Sequence, residues 1–239
     1  MGISVVVPAH NEEPLLRRCL TSIHRAAARA SAEVDVTVVA NRCTDGTAEL
    51  AESLGARVVA SDARNLAVVR NVGIADGSGA TVVTVDADAI VHPETFRAAM
   101  ERLDSGRFVG GGVRVVPERW STGIAVTYGI MEAITAATRV AGGLYWARRD
   151  DVEAVGGFDE SVLVGEDVAF ARRLRARGRA TGRRFTCIRS TPLTVSCRKF
   201  DAYGDWHMLT MARDLPAVLR SRSGRDTEWV DRYFFDFND

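Results

Sequence analysis

The sequence predicts an α/β fold with a Rossmann-like, mostly parallel sheet and helices on both of its faces. Three observations indicate this class. From residue 3 onward, short runs of β-branched residues alternate with segments whose apolar residues recur at helical spacing. The run at 80–85 is apolar almost throughout, as expected of a parallel strand covered on both faces. With 239 residues, the chain is long enough to bury a substantial core.

The first strand–helix unit begins almost at the N-terminus. Residues 3–8 form a β-branched run, and the apolar residues of the helix that follows recur every three or four positions from Leu16. A second unit has a strand at 34–40 and a helix near 47–54, which Gly55 is suited to end.

The third and fourth strands complete the first half of the predicted sheet. A strand at 57–60 precedes a helix at 66–75, and the strand at 80–85 leads directly into Asp86 and Asp88. In doubly wound sheets, ligands bind beyond the carboxyl ends of the strands. We therefore expect the two aspartates at the edge of the sheet where a ligand would bind.

The alternation of strands and helices is less regular after residue 91, and a mixed architecture is expected there. The predicted elements are a helix at 94–103, a strand at 108–116, a buried apolar helix within 124–143, a strand at 144–147 and a helix at 167–177.

The chain is expected to be a single domain, because no repeat, low-complexity tract or linker divides it. We distinguish a first half at 1–91, a second half at 92–215 and a tail at 216–239. Aromatic and acidic residues alternate in the tail, and its role stays open.

Composition favours a cytoplasmic protein. Basic and acidic residues number 31 each, so no broad electric field would attract nucleic acid or anionic lipid, and we expect no nucleic-acid partner. Glu132 and Arg139 interrupt the apolar window at 124–143, which predicts no transmembrane segment and leaves peripheral membrane contact and a homodimer open. No secretory signal is evident, and the four cysteines include no Cys-x-x-Cys pair.

Asp86 and Asp88 form the most informative pair of acids. Two carboxylates separated by one residue at a strand end can share a divalent cation with the phosphate oxygens of a ligand. The alternative is a solvated acidic turn, and the pair alone does not exclude it.

Three other polar segments each allow a functional and a purely structural interpretation. Asn11 and Glu12 follow the first strand, where they could hold a nucleoside or start a helix. Arg70 could bind a diphosphate or lie on the surface. Glu166 and Asp167 open a helix, where acids also occur because of the helix dipole.

Taken in order, these motifs resemble glycosyltransferase family 2 with its GT-A fold. The resemblance extends over about residues 2–207. It is carried by the segments SVVVPAHNEE, NRCTDGT, RNVG, VDAD, RRDDVEAVGGFDE, GEDVAFARRLRARG and SCRKF.

The resemblance implies that the first half binds a nucleoside diphosphate sugar. The base and ribose would contact Pro8, Ala9, Asn11 and Glu12. Many relatives carry a second acid after strand two that reads uracil, whereas this chain has Asn41. An asparagine amide can still pair with uracil, so a UDP-linked donor is the leading expectation.

The remaining donor contacts involve charge. By the same resemblance, Asp86 and Asp88 match the metal motif for Mg²⁺ or Mn²⁺, and Arg70 and Arg198 would bind the diphosphate. His207 is a candidate third metal ligand, although a lone histidine also occurs in packing or at the surface.

The resemblance further implies an inverting transferase whose second half forms the acceptor side. Asp167 matches the catalytic base, and Glu166 would orient it or bind the acceptor. Gly142, Gly143 and Trp146 would line the acceptor site. The identity of the acceptor and of the transferred sugar cannot be read from these residues.

Two other functions compete with this hypothesis. A sugar-phosphate nucleotidyltransferase also uses a nucleotide-binding sheet with paired acids, but its glycine-rich basic loop is replaced here by PAHNEE. A catalytically inactive nucleotide-sugar-binding partner protein is the non-enzyme alternative. An NAD-dependent dehydrogenase is disfavoured because no Gly-x-Gly-x-x-Gly follows the first strand.

Overall fold

The computed structural model describes residues 2–138, 140 and 142–210. The tail at 216–239 and Arg139 lie outside the described residues. The strands are β1 (Ile3–Ala9), β2 (Val34–Asn41), β3 (Arg57–Ser61), β4 (Thr81–Val85), β5 (Ala89–Ile90), β6 (Phe108–Pro117), β7 (Leu144–Arg148) and β8 (Arg184–Val195). The helices are α1 (Glu13–Ala30), α2 (Thr47–Ser53), α3 (Leu66–Asp76), α4 (Thr95–Asp104), α5 (Thr122–Thr138), α6 (Arg149–Ala154), α7 (Glu166–Ala180), α8 (Arg198–Tyr203) and α9 (His207–Thr210).

The strands of both halves of the chain belong to one sheet, in the order β3-β2-β1-β4-β7-β6-β8-β5. Its first four strands are mutually parallel, with Val5 opposite Val36 and Val83 in the register of β1. Every residue of β1 and β4 is buried, because helices cover both faces of this half. The predicted α/β architecture is confirmed.

The other half of the sheet is mixed, as expected. Strand β7 is antiparallel to both β4 and β6, whereas β6 and β8 are parallel and the short β5 is antiparallel to β8. The long strand β8 was not predicted. Pro192 and the exposed Arg189 interrupt its apolar pattern, and proline in particular weakens a strand signal.

Two apolar layers lie on opposite faces of the sheet. On one face, α1 and α4 bury residues such as Leu16, Leu20 and Phe96 against the strands. On the other face, α3 and α7 contribute Val69 and Phe170 to a second cluster. The layers fix the starts of α1, α3 and α7 relative to the carboxyl ends of β1, β2 and β4.

The expectation that the apolar helix would be buried is wrong. Helix α5 buries only residues of its first two turns, where Ile124 packs near Cys197 and Phe200. Farther along, Ile130 and Ile134 are 47% and 55% exposed, because no described element covers that side of the helix. Within the described ranges, no helix is both long and apolar enough to cross a bilayer.

Candidate active site

A cavity of about 440 Å³ opens at the carboxyl ends of β1, β2 and β4. Residues from both halves of the chain line it. Those predicted as site residues are Pro8, Ala9, Glu12, Asn41, Arg70, Asp86, Asp88, Glu166, Asp167 and Arg198.

Two loops next to the cavity are joined by hydrogen bonds. Asn11, which has a left-handed φ of 50°, accepts a bond from the Thr44 backbone nitrogen at 2.8 Å. The backbone nitrogen of Glu12 donates to the Thr47 hydroxyl, also at 2.8 Å. These contacts connect the start of α1 to the β2–α2 loop, so they hold Glu12 at the cavity.

Asn41 ends β2 and faces the cavity. It is 3% exposed, and its side-chain oxygen has no hydrogen-bond partner among the described residues. Its backbone oxygen lies 2.7 Å from Nδ1 of His10, which also lines the cavity. A buried amide oxygen without a partner is a site where a ligand N–H can bind at little desolvation cost.

Asp86 and Asp88 lie just beyond the end of β4. Burial, together with the nearby charge of Asp86, raises the pKa of Asp88 to about 6, while the positive charge of Arg198 opposes the shift. Because burial disfavours the ionised form of this carboxyl group, a nearby positive charge would stabilise that form.

Arg70 connects the acids of the two halves. Its guanidinium donates to Oδ1 of Asp86 at 2.9 Å, and its Nε lies 3.7 Å from Oε1 of Glu166. The side chain is 3% exposed and lies over the ring of Phe158, 5.3 Å from the ring centre. Arg70 therefore acts as a buried counter-charge between Asp86 and Glu166.

Glu166 and Asp167 occupy the first turn of α7. Gly165 precedes them with a φ of 78°, a left-handed conformation that favours glycine. Burial raises the pKa of both carboxyl groups, and the charge of Arg70 opposes the shift. Oδ1 of Asp167 accepts a bond from the Val168 backbone nitrogen at 2.7 Å, which orients the carboxylate at the helix start.

Two cations of the C-terminal part complete the cavity wall. Arg198 forms an ion pair with Glu12 and lies 3.7 Å from Oδ2 of Asp88. Lys199 is a cavity residue that the sequence did not single out, and burial lowers its pKa to about 8. Lys199 follows Arg198 in the SCRKF segment, and this position was the sequence signal that could have identified it.

Gly142 and Gly143 lie next to acidic side chains of the site, but they do not line the main cavity. A Cβ atom on Gly142 would lie 3.1 Å from Oδ2 of Asp167, and one on Gly143 would lie 3.8 Å from Oδ2 of Asp86. Gly143 also has a φ of 83°, and its carbonyl accepts from the Asp86 backbone nitrogen. The absence of a side chain at Gly142 therefore leaves space beside Asp167, whereas Gly143 packs against Leu193 and lies near Asp86.

The structure does not bring three other predicted residues to the cavity. Trp146 was expected on the acceptor side, and this is wrong: the side chain is 1% exposed in the core and its indole donates to the Gly112 carbonyl at 3.2 Å. His207 stacks on Tyr203, with ring centres 4.7 Å apart, and is not a lining residue. Asn11 binds the neighbouring loop instead.

Sequence reasoning also missed several lining residues. His10 stood inside the PAHNEE motif, but no pattern distinguished its role. The apolar wall is built by Leu66, Val69 and Leu163, which belong to different segments. Only the tertiary structure brings such residues together, so periodicity could not identify them.

The cavity carries an excess of negative charge. Its lining includes five carboxylates, from Glu12, Asp86, Asp88, Glu166 and Asp167, and three basic side chains, from Arg70, Arg198 and Lys199. Oxygen ligands and surplus negative charge suit a hard divalent cation. Within the described residues, no cluster of three or more metal-ligating side chains is found, so a cation here would also need oxygens from its ligand.

Comparison with known proteins gives a family match over more than half of the chain. The family model described as Glycosyl transferase family 2 matches residues 4–139. The chain is also similar to glycosyltransferase AglE of Haloferax volcanii, with 24% identity over 189 residues that cover 74% of this chain and 62% of AglE.

Two solved structures are similar in fold. The mannosyltransferase PcManGT from Pyrobaculum calidifontis, solved with GDP-Man and Mn²⁺, gives a TM-score of 0.62 at 25% identity, covering 80% of this chain and 56% of that one. Glucosyl-3-phosphoglycerate synthase from Mycobacterium tuberculosis, solved with Mn²⁺ and UDP-glucose, gives 0.60 at 24% identity, covering 93% and 79%. The chain spans less than two thirds of the length of AglE and PcManGT. These likenesses confirm the expected GT-A type of fold.

Proposed function

Since the chain belongs to glycosyl transferase family 2, as its motifs predicted, we propose that it moves a sugar from a nucleoside diphosphate sugar to an acceptor hydroxyl with inversion. One observation carries the proposal. Asp88 and Asp167, which are far apart in sequence, line the same cavity at the edge of the parallel sheet. A donor held by one acid would thus face the other.

The proposed donor is a UDP-sugar. Pro8, Ala9 and Glu12 offer the surface for base and ribose, and the unpartnered amide oxygen of Asn41 can accept the N3–H of uracil. The two similar structures were solved with GDP-Man and UDP-glucose. Both bases therefore occur among proteins of this fold, and Asn41 is the residue that favours uridine here.

Asp86 and Asp88 are the proposed ligands of Mg²⁺ or Mn²⁺. Their oxygens and the surplus negative charge of the cavity fit such an ion, and carboxylates at Mg²⁺ sites commonly act together with substrate phosphates. When bound, the ion would stabilise negative charge on the departing diphosphate. Arg70 holds the carboxylate of Asp86 in place through its hydrogen bond. His207 is not part of this proposal.

Asp167 is the proposed general base. Its carboxylate takes the proton of the acceptor hydroxyl while that oxygen bonds to the anomeric carbon and the bond from this carbon to the diphosphate breaks. Burial raises the pKa of Asp167, which makes its carboxylate a stronger base than that of a solvated aspartate. Glu166, in the same turn of α7, would orient Asp167 or bind the acceptor.

Arg198 and Lys199 are proposed to bind the diphosphate. Both lie at the start of α8, close to Asp88. Arg198 contacts Glu12, and an incoming diphosphate would compete with this carboxylate. The exchange would release Glu12 for the ribose. Gly142 leaves space beside Asp167 through which the acceptor would enter, and Gly143 lies nearby at Asp86.

A donor panel tests the proposal. Purified protein is incubated with UDP- and GDP-sugars, with Mn²⁺ or with EDTA, and release of the nucleoside diphosphate is measured. We expect Mn²⁺-dependent release from a UDP-sugar, and an α-linked donor should give a β-configured product by NMR. Binding without any turnover would support an inactive partner protein instead.

A further inference from the structure

Helix α8, which carries Arg198 and Lys199, is short and is placed by contacts with other segments. It spans six residues, from Arg198 to Tyr203, and the side chain of Cys197 before it makes no capping hydrogen bond. A helix of this length is not stable on its own in water. The position of its two cations at the cavity therefore depends on what holds the start of the helix.

Glu118, which follows β6, holds that start. Its Oε1 accepts a hydrogen bond from the Cys197 backbone nitrogen at 3.0 Å, and its own backbone nitrogen donates to the Val195 carbonyl, also at 3.0 Å. On the opposite side, the Ser196 backbone nitrogen donates to the Asp88 carbonyl at 3.2 Å. This stretch before α8 thus lies between Glu118 and Asp88.

Glu118 is also bound to the helix on the other side of the two cations. Its Oε2 accepts from Nη2 of Arg18, in α1, at 2.9 Å, and Glu12, just before α1, forms the ion pair with Arg198. Burial opposes ionisation of Glu118, but the bonds from Cys197 and Arg18 hold the pKa of its carboxyl below the ordinary value. The side chain is therefore a charged link between α1 and α8.

The remaining contacts of α8 should keep it folded when the Glu118 side chain is removed. Arg119 donates to Asp201 at 2.9 Å and to Asp205 at 2.8 Å. Phe200 belongs to an apolar cluster with residues of α5. These contacts hold the later part and the apolar side of the helix, whereas Glu118 holds its first turn.

We propose that Glu118 is a positioning residue for donor binding, because it sets Arg198 and Lys199 where they and Asp88 can meet one diphosphate. Nη2 of Arg198 lies 3.7 Å from Oδ2 of Asp88. Both cations line the cavity, whereas Glu118 lies outside its lining. Glu118 therefore controls the affinity for phosphates without touching the ligand. The inference rests on the proposed function, which assigns the diphosphate to these cations.

Three ligands separate this role from general damage to the cavity. UDP and pyrophosphate carry the phosphates that Arg198 and Lys199 would bind, and uridine carries none. With Mg²⁺ present, Glu118→Ala should weaken UDP and pyrophosphate about fivefold in calorimetric titrations of the full chain. This is less than the loss of a whole charge-assisted contact, because the cations are displaced rather than removed. Uridine binding, followed by ligand NMR, should stay unchanged.

Further variants locate the effect. Glu118→Gln keeps an acceptor for the Cys197 nitrogen and should restore most of the affinity. Glu94→Ala removes a glutamate of similar exposure that pairs with another arginine of α1, and it should leave all three affinities unchanged. In a chain that already carries R198A and K199A, Glu118→Ala should have no further effect on UDP binding, because residues that act through one another are not additive.

Hydrogen exchange checks the contact with α8 directly. Without added ligand, the backbone amides of 197–200 should exchange faster in Glu118→Ala than in the unchanged protein, and at the unchanged rate in Glu94→Ala. Equal exchange of these amides in Glu118→Ala and the unchanged protein would overturn the inference.

The titrations can overturn the inference in three ways. Pyrophosphate affinity that Glu118→Ala leaves unchanged would do so, and so would an equal loss of uridine binding or an equal loss of UDP binding in the R198A/K199A chain. Pyrophosphate binding that Glu118→Ala weakens, in a protein that binds neither UDP nor uridine, would instead count against the proposed donor and leave the role of Glu118 intact.

Discussion

Arg70 donates a 2.9 Å hydrogen bond to Asp86 while it is almost completely buried. On its other side, its Nε lies 3.7 Å from Glu166. One buried guanidinium thereby compensates acids from the two halves of the chain. The position of the acids, and not only their presence, depends on this residue.

Arg70→Met should destabilise the protein, because it removes the cation between Asp86 and Glu166. Breaking a buried ion pair commonly costs about 3–5 kcal/mol, and we expect about 2–3 kcal/mol here since Asp86 stays partly in water. Denaturant unfolding measures the loss. Arg70→Lys keeps the charge and should lose less. Equal stability of Arg70→Met and the unchanged protein would refute the compensating role.

Asp167→Asn should abolish most transfer and spare donor binding. Removal of a positioned base lowers the rate by about 10²–10⁴-fold, whereas UDP would bind at the other side of the cavity. Steady-state transfer and calorimetric titration of UDP separate these effects. Glu166→Gln is the matched comparison and should lose less activity. Near-normal turnover of Asp167→Asn would show that another group takes the proton.

The pH dependence of the protein's stability should reveal the raised pKa of Asp88. Its folded pKa of about 6 lies above the ordinary value of 3.8, so the folded state binds more protons than the unfolded state in this window. The free energy of unfolding therefore falls as pH rises from 3.8 to about 6. Asp88→Asn removes this effect, and at pH 7.5 in EDTA it should stabilise the protein by about 1–2 kcal/mol.

Thermal melts with EDTA test this, with exposed Asp62→Asn as control. The advantage of Asp88→Asn should disappear below about pH 4. Addition of UDP and Mn²⁺ should raise the melting temperature of the unchanged protein but not that of Asp88→Asn. A gain from Asp62→Asn of the same size would indicate a general charge effect rather than a buried acid.

Gly142→Val should impair transfer without weakening donor binding. The added side chain would enter the space beside Oδ2 of Asp167, since even a Cβ at this position would lie 3.1 Å from that oxygen. We expect a loss in kcat/KM of at least about tenfold, which corresponds to 1.4 kcal/mol of transition-state stabilisation. Gly129→Val, in open space on α5, is the control. Equal effects of the two substitutions would mean that helix or loop damage explains the loss.

The first half of the fold was predictable because its signals are local. Strands β1 and β4 are buried on both faces, and this produces the continuous apolar runs seen in the sequence. Asp86 and Asp88 follow such a run directly. The rule that ligands bind beyond the carboxyl ends of parallel strands then placed them at the cavity.

The second half was less predictable because its outcome depends on tertiary contacts. The apolar composition of α5 indicates a helix but not which neighbours cover it, and the structure leaves Ile134 exposed. Trp146 follows the glycine pair in sequence, yet β7 is a central strand whose first four residues are buried between two layers. No local pattern indicated that Arg70 would bridge Asp86 and Glu166.

The most direct test is a crystal structure of the chain with UDP and Mn²⁺, using anomalous scattering to locate the ion. We expect an anomalous peak about 2.2 Å from an oxygen of Asp86 or Asp88 and from a diphosphate oxygen, with Asp167 facing the same cavity. A peak at another site, or UDP bound away from β1, β2 and β4, would contradict it.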